Sequence, residues 1–192
     1  MRIVMDLQGA QSESRFRGIG RYSLALALAV ARDARGHDIH VALNGAFPEA
    51  VKDIRAAFKG LIPQSNIHVW YVPLPVHACD TGNSTRCSHA EIVREATLAS
   101  LQPDIVHVSS LFEGYGDNAL TSIGRVFQIP TVVTMYDLIP MMNPEVYLNH
   151  DPVYAKAYAE KFSFLQRADA VLAISESSAD EARRVGKFGS DK

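Results

Sequence analysis

Residues 2–43, "RIVMDLQGAQSESRFRGIGRYSLALALAVARDARGHDIHVAL", contain the pattern that decides the fold. The short apolar run at 2–7 predicts a buried strand, and the run at 38–43 predicts a second one. Between them, residues 21–35 are helix formers throughout, and Gly36 is a natural C-terminal stop. This stretch therefore predicts a strand–helix–strand unit of an α/β domain.

The same alternation continues along the rest of the chain. Strands are predicted at 2–7, 38–43, 67–74, 103–110, 130–137 and 169–175, and helices at 21–35, 48–58, 90–101, 118–127, 152–168 and 177–185. The strand segments are continuous apolar runs rather than alternating ones, which is typical of a parallel sheet covered on both faces. We therefore expect an α/β fold with a doubly wound, mostly parallel, Rossmann-like sheet.

The composition excludes several classes of protein. Of the 192 residues, 47% are hydrophobic, and the formal net charge of -2 provides no overall field for nucleic acid or an anionic membrane. Two cysteines are too few for a disulfide scaffold. Asp6 interrupts the N-terminal apolar run, which argues against a secretory signal, and the apolar stretch 24–31 is too short to span a bilayer. A cytoplasmic protein is expected.

The loop "SRFRGIGRYS", residues 14–23, is the first candidate site. It follows a strand and opens a helix, whose N-terminus favours an anion, and arginine suits phosphate or carboxylate. The alternative is an ordinary loop with solvated arginines. About ten residues separate the strand from Gly18, and Ser23 holds the sixth position, so the dinucleotide fingerprint is excluded. A P-loop is also excluded, because no Lys-Ser or Lys-Thr pair follows a glycine run.

Two other strand ends carry candidate polar side chains. Asp137 follows the fifth strand, where it either performs acid–base or binding chemistry or caps a turn. Glu113 and Tyr115 follow the fourth strand and suit a hydroxyl-rich ligand. Asp117 in the same loop is expected to cap the helix at 118–127.

The segment "AISESSADE", residues 173–181, offers Ser175 and Glu176 as ligand contacts. Ser177 or Ser178 together with Glu181 approximates a capping box, so a structural role is the alternative.

A near-palindromic insertion lies at residues 77–89. Its four metal-binding residue types are His77, Cys79, Cys87 and His89. A zinc site is geometrically conceivable, but the spacing is not a standard one, and a polar insertion is the favoured interpretation. His107, within the fourth strand, is interpreted as a core histidine.

Four segments, in order, resemble the N-terminal half of family-four, retaining glycosyltransferases of the two-Rossmann GT-B architecture. Within that family they are similar to bacterial mannosyltransferases that build polysaccharide and lipopolysaccharide O-antigen chains. The segments are "GIGRY" (18–22), "PDIVHVSSLFEG" (103–114), "TVVTMYDLIPMMNPEVY" (131–147) and "ADAVLAISESSADE" (168–181).

The resemblance implies transfer of a sugar, mannose in these relatives, from a nucleotide diphosphate donor such as GDP-mannose to a glycan or lipid-linked saccharide, with retention. Neither a metal nor another cofactor is implied. The amides of Gly18 and Gly20 would approach the diphosphate, and Arg21 would offset charge on the leaving group. Arg15 and Arg17 would contact the acceptor or the rim of the cleft.

The remaining roles follow from the same resemblance. Glu113, Tyr115, Ser175 and Glu176 would contribute to acceptor binding. Many relatives carry a histidine before the aspartate of the fifth-strand motif, and Tyr136 stands there in this sequence. Asp137, with Tyr136 beside it, therefore becomes the better catalytic candidate.

The resemblance also implies a domain organisation. Residues 1–185 would form the acceptor-binding domain, and 186–192 a tail or the start of an interdomain linker. Two glutamates separated by seven residues mark the nucleotide-sugar-binding C-terminal half, and this sequence has no such pair. The chain alone is therefore expected to be inactive, and the enzyme is expected to associate with the inner face of the cytoplasmic membrane at most peripherally.

Two other functions stay open at this point. One is a non-catalytic module that binds a glycan or an anion. The other is an interaction domain that docks a partner or a lipid surface through Met141 and Met142. The lack of any Asp-x-Asp pair argues against a metal-dependent, single-domain sugar transferase.

Overall fold

A six-stranded parallel sheet forms the centre of the computed structural model, which describes residues 1–186 and 188. The strands are β1 (Arg2–Asp6), β2 (Asp38–Asn44), β3 (Ile67–Trp70), β4 (Ile105–Val108), β5 (Thr131–Met135) and β6 (Ala170–Ala173). Their order is β3-β2-β1-β4-β5-β6, and every neighbouring pair is parallel. The predicted doubly wound, Rossmann-like sheet is confirmed.

Helices connect the strands on both faces of the sheet. They are α1 (Gly18–Arg32), α2 (Pro48–Ala57), α3 (Ser84–Ser100), α4 (Ile139–Met142), α5 (Pro144–Tyr147), α6 (Pro152–Leu165) and α7 (Glu176–Glu181). A π-helical turn, Ala182–Gly186, follows α7, and most of the predicted tail or linker at 186–192 lies outside the described residues. Within the described part of the chain, no helix is both long and apolar enough to cross a bilayer.

The core has two layers, one on each face of the sheet. On one face, α1 and α2 pack over β1 and β2, where Met5, Val41 and Leu43 are fully buried. Small side chains line the buried stripe of α1, at Gly20, Ser23, Ala27 and Ala31. This spacing places them on one side of the helix, and their size lets α1 approach the sheet closely. On the other face, α3 and α6 pack over β4 and β5.

The prediction of a helix at 118–127 is wrong, because the connection from β4 to β5 contains no helix. Side chains of neighbouring elements capture its backbone groups instead. Glu95 of α3 accepts hydrogen bonds from the amides of residues 125, 126 and 127. Gln8 pairs with both the amide and the carbonyl of Leu120, and Lys161 donates to the carbonyl of Thr121. These tertiary hydrogen bonds replace those that a helix would have made.

A buried ion pair fastens this connection to the middle of the sheet. Nε and Nη2 of Arg94, on α3, both donate to Oδ2 of Asp6 at the end of β1, and the Nε distance is 2.8 Å. The third guanidinium nitrogen donates to the carbonyl of Ser122 at 2.9 Å. Each side chain is only 1% exposed. A charge buried this deeply requires its partner, since its desolvation is otherwise uncompensated.

We expect Arg94→Ala to destabilise the domain by roughly 3–5 kcal/mol, because it leaves the Asp6 carboxylate buried and unpaired. Urea unfolding followed by circular dichroism measures the loss. Arg32→Ala, at the exposed end of α1, is the matched control and should change stability little. A loss no larger than that of the control would contradict this account of the ion pair.

His107 makes the stability of the sheet sensitive to acid. Burial lowers the pKa of His107 to about 4, and its Nε2 lies 2.8 Å from Oγ1 of Thr134 on the neighbouring strand. The unfolded chain takes up this proton near pH 6.5, whereas the folded chain does so only near 4. The stability contributed by the neutral ring is therefore present above pH 6.5 and is lost as the pH falls towards 4.

We expect His107→Asn to remove up to about 3 kcal/mol of the pH dependence of unfolding between 6.5 and 4, at about 1.4 kcal/mol per pKa unit. Urea unfolding at a series of pH values tests this. His37→Asn, at an exposed position between α1 and β2, should leave the pH profile unchanged. An unchanged profile for His107→Asn would show that other groups cause the acid sensitivity.

Candidate functional site

The loop that follows β1 is folded into two short 3-10 turns, Gln8–Ala10 and Glu13–Phe16. Ser12 caps the second turn by accepting a hydrogen bond from the amide of Ser14 at 3.2 Å. A Cβ atom on Gly20 would lie 2.3 Å from Cα of Arg15, so glycine is required for this turn to rest against α1. Gly18 has open space beside it, with nothing within 4 Å. The two glycines therefore differ: Gly20 permits packing, and Gly18 leaves the helix start accessible.

Glu113 holds this loop against the end of β4. Its carboxylate accepts hydrogen bonds from the hydroxyls of Ser12 at 2.8 Å, Ser14 at 3.1 Å and Ser110 at 2.8 Å. The residue is 8% exposed, and burial raises the pKa of its carboxyl group while the three serine hydroxyls oppose that shift. Glu113 therefore fixes the position of the cationic loop relative to the end of β4.

The three arginines of the loop have no carboxylate partner among residues 1–186 and 188. Arg17 and Arg21 are exposed at the first turn of α1. The guanidinium of Arg15 stacks on the ring of Phe16, 4.4 Å from its centroid. The first-turn amides of α1 also lack partners inside the helix. The helix start therefore presents positive charge and free donors at the carboxyl edge of the sheet.

Tyr136 joins the end of β5 to this helix start. Its hydroxyl donates to the carbonyl of Ile19 at 3.2 Å and lies 2.9 Å from Oγ of Ser23. The ring of Tyr22 stands edge-on to it, with centroids 5.8 Å apart. Burial raises the pKa of Tyr136 to about 12, so the hydroxyl stays neutral. Its observed contacts position α1.

Asp137 is exposed at the same edge. One carboxylate oxygen, Oδ1, accepts a hydrogen bond from the amide of Ile139 at 3.2 Å, which is the turn contact that the sequence left open. Within the described residues, the second oxygen has no partner. The capping contact therefore uses one oxygen of this carboxylate and leaves the other oxygen for a ligand.

Tyr115 and Asp117 are engaged within the protein. The Tyr115 hydroxyl donates to Asp151 at 2.7 Å, and this carboxylate raises the pKa of Tyr115 to about 12. Asp151 in turn caps α6. Asp117 does not cap a helix as predicted; it accepts hydrogen bonds from the amides of Glu13 and Ala119, each at 2.9 Å. The loop after β4 is thus tied to both the cationic loop and α6.

Ser175 caps α7 by accepting from the amide of Ser178 at 3.1 Å. The predicted capping box is wrong, because Glu181 reaches across to the amide of Leu138 at 2.7 Å. Oγ of Ser178 donates to the carbonyl of Tyr136 at 2.6 Å. These contacts leave α7 bound to the segment that follows β5.

The four metal-binding residue types of the insertion do not converge. Sγ of Cys79 lies 3.4 Å from Nδ1 of His77, whereas the Cys87 thiol donates to the carbonyl of Val76 at 2.7 Å. His89 lines a separate groove. Across the described residues, no group of three or more His, Cys, Asp or Glu side chains is placed to hold a metal ion.

Sequence reasoning missed the polar side chains buried beneath the strand ends. Gln8 accepts from Nδ2 of Asn44 at 3.0 Å, and Gln11 exchanges hydrogen bonds with the backbone of Asn44 at 2.8 and 3.0 Å. Their signal was a polar side chain at or directly after the end of an apolar strand, Gln8 after β1 and Asn44 at the end of β2. The partners of these side chains lie far away in sequence, so the pattern alone did not reveal them.

Taken together, the parallel α/β sheet and the accessible, cationic helix start at its carboxyl edge define a Rossmann-like domain whose strand-end crevice favours an anionic ligand. The chain belongs to the family of glycosyl transferase 4-like domains, whose model matches residues 17–192. The family predicted from the four sequence segments is confirmed.

Relatives of this chain include serotype-specific mannosyltransferases WbdA of Escherichia coli. One is 35% identical over 195 residues, covering 100% of this chain and 23% of the relative. Another is 34% identical over 167 residues, covering 85% of this chain and 20% of the relative. The chain thus spans less than a quarter of the length of these relatives.

A solved structure, Arabidopsis thaliana UGT89C1 complexed with quercetin, resembles the fold with a TM-score of 0.51 at 11% identity. The alignment covers 97% of this chain and 46% of that one. At this identity the likeness concerns the fold alone.

We expect Glu113→Ala to loosen the cationic loop, because Ser12, Ser14 and Ser110 lose a charged acceptor worth roughly 1.5–3 kcal/mol. Hydrogen exchange of the Arg15 and Arg17 amides should accelerate more than exchange in the sheet. Glu145→Ala, at an exposed position on α5, is the control. Equal exchange at the loop in both variants would contradict the role assigned to Glu113.

Proposed function

We propose that this domain forms the acceptor side of a retaining glycosyltransferase that moves mannose from GDP-mannose to a growing glycan. The family assignment supports sugar transfer, and the similarity to mannosyltransferases supports mannose. Because the relatives are more than four times as long, the activity, donor and acceptor of the whole enzyme are parts of this proposal.

The observation that carries the proposal is the unpaired positive charge at the start of α1. Arg17 and Arg21 are exposed there, beside the open position of Gly18. The departure of a nucleoside diphosphate places negative charge on phosphate oxygens, and preorganised donors stabilise that charge as it develops. Glu113 and Tyr136 hold the helix start in place, so little reorganisation is needed. In this mechanism Arg21 performs the role that a metal ion has in other sugar transferases.

The candidate site residues divide into two sets by their contacts. Asp137, the catalytic candidate, keeps a carboxylate oxygen free for a ligand, and we assign it to the reacting region. Arg15, whose guanidinium stacks on Phe16, is assigned to the rim of the acceptor site. Glu113, Tyr115 and Ser175 use their polar atoms within the protein, so we reassign them from contacting the acceptor to positioning its site. The Glu176 side chain is exposed, and its ion pair with Arg183, at 3.7 Å, is also at the surface. Glu176 therefore stays accessible to a ligand at the edge of the site.

A second domain that binds the nucleotide sugar completes the proposal. In a GT-B enzyme the donor binds that domain, and the loop before α1 faces it across a cleft. The 192 residues alone are then expected to bind the acceptor without turnover. The reaction is proposed to take place in the cytoplasm, where the acceptor is a lipid-linked saccharide at the inner face of the membrane.

In the enzyme that carries both domains, we expect Arg21→Ala to lower kcat by about 10²–10³-fold, the usual cost of losing one preorganised charge-stabilising donor. The KM for the acceptor should change little, since Arg21 acts on the leaving group. Transfer of radiolabelled mannose from GDP-mannose to an oligosaccharide measures both constants.

Two variants control this experiment. Arg21→Lys keeps the charge but not the planar donor fork, so it should recover part of the rate. Arg32→Ala, at the other end of α1, should retain the full rate. Undiminished turnover of Arg21→Ala would reject the proposed leaving-group role. Saturable glycan binding without any transfer would favour the non-catalytic module.

A further inference from the structure

A cavity of about 580 Å³ opens between α3 and α6, beside the strand-tip site rather than within it. Its floor is the irregular connection from β4 to β5, at Ala119 and Leu120. This connection contains no helix, so irregular backbone forms the floor between the two helices. The volume lies within the roughly 300–1,000 Å³ that is typical of small-molecule sites.

The ionisable groups around the cavity balance one another. Three acidic and three basic side chains line it, namely Asp80, Glu91, Glu160, Arg125, Lys156 and Lys161. Deep in the cavity, Glu91 pairs with both Arg125 and Lys161. A site for a phosphate or a carboxylate would carry excess positive charge, so this balance favours an uncharged ligand.

Hydrogen-bonding groups on both walls lack partners within the described residues. Ser84 and Ser88 lie one turn apart on α3, and Lys156 faces the same cavity from α6. Between these polar groups, Val153, Ala157 and Leu120 present small apolar surfaces. Hydroxyl partners alternating with apolar patches match the hydroxyl groups and the C–H faces of a sugar ring.

The cavity adjoins the loop that we place at the acceptor site. The amide of Ala78 donates to the carbonyl of Gly114, and the amide of Cys79 donates to the carbonyl of Tyr115, each at 2.9 Å. Ala78 and Gly114 line the cavity, and Tyr115 continues towards the strand tips. The cavity and this loop therefore share a wall, so a chain-like ligand in the cavity would lie directly beside the loop.

We infer that this cavity binds an uncharged oligosaccharide, the part of the acceptor glycan that lies away from the reacting end. The inference rests on the proposed function, since it extends the acceptor site. Lys156, Ser84 and Ser88 then contact sugar units that a long acceptor has and a short acceptor lacks.

Cys87 in the cavity wall provides a direct probe of binding. In a Cys79→Ser variant it is the remaining cysteine of the chain, and its thiol is partly accessible. Burial raises the pKa of this thiol, so alkylation is slow enough to follow by mass spectrometry at pH 8. We expect α-linked mannotriose to slow alkylation of Cys87 at least fivefold at saturation, whereas mannose 6-phosphate should not.

Two variants test the residues that line the cavity. Lys156→Ala should raise the concentration of mannotriose needed for half-protection about tenfold, through loss of a charged hydrogen-bond donor. Ala157→Phe should fill the cavity and abolish protection. Lys52→Ala, on α2 at the opposite face of the sheet, is the matched control and should protect normally. Thermal unfolding of each variant confirms that it is folded.

The outcomes separate this inference from the proposed function. Absence of protection by mannotriose, protection by mannose 6-phosphate alone, or protection that survives both Lys156→Ala and Ala157→Phe would overturn the cavity assignment. If Arg21→Ala still lowers kcat by about 10²–10³-fold in the two-domain enzyme, the proposed function stands without the cavity assignment. A raised KM for long acceptors in Lys156→Ala, with transfer to short acceptors unchanged, would support both.

Discussion

The buried pair of Asp6 and Arg94 is the interaction on which the rest of the domain depends. It joins the end of the central strand β1 to α3, and its third guanidinium nitrogen holds the backbone of the β4–β5 connection. Both Arg94 donors reach Oδ2 of Asp6, and charges buried this deeply require each other as partners. This requirement fixes where α3 crosses the sheet, and with it the irregular path of residues 109–130.

That path positions the site. The same connection carries Glu113, which grips the loop before α1, and Tyr115, which reaches the cap of α6. The cationic helix start is thus supported by a fixed carboxylate below it and by Tyr136 at its side. Glu113 and Asp117, two carboxylates of the loop after β4, accept from serine hydroxyls and backbone amides rather than from the arginines of the helix start. The solvent-facing cationic site therefore rests on a base of carboxylates whose oxygens are hydrogen-bonded within the protein.

Individual segments show which features could be predicted from the sequence and which could not. The apolar runs predicted all six strands, and their continuous character predicted a sheet covered on both faces, as observed. The helix expected at 118–127 does not form, because Glu95, Gln8 and Lys161 make hydrogen bonds to the backbone of this segment. These three residues lie more than twenty positions away in sequence, so a local pattern could not reveal them. The cationic loop was found from its arginines and glycines. The different roles of the two glycines could not be predicted, because only the folded turn brings the backbone of Arg15 against Gly20 and leaves the space beside Gly18 open.

The sequence by itself determined the parallel α/β fold and the charge at the start of α1, because periodicity and composition are local properties, and its four motif segments indicated the family by resemblance. Only the tertiary structure decided which polar groups support the site and which remain available to a ligand. Glu113 and Asp137 are both acids that follow a strand, yet one is buried among three hydroxyls and the other faces solvent. Burial and partner choice are set by the long-range packing of the whole chain, and residue type alone does not specify them.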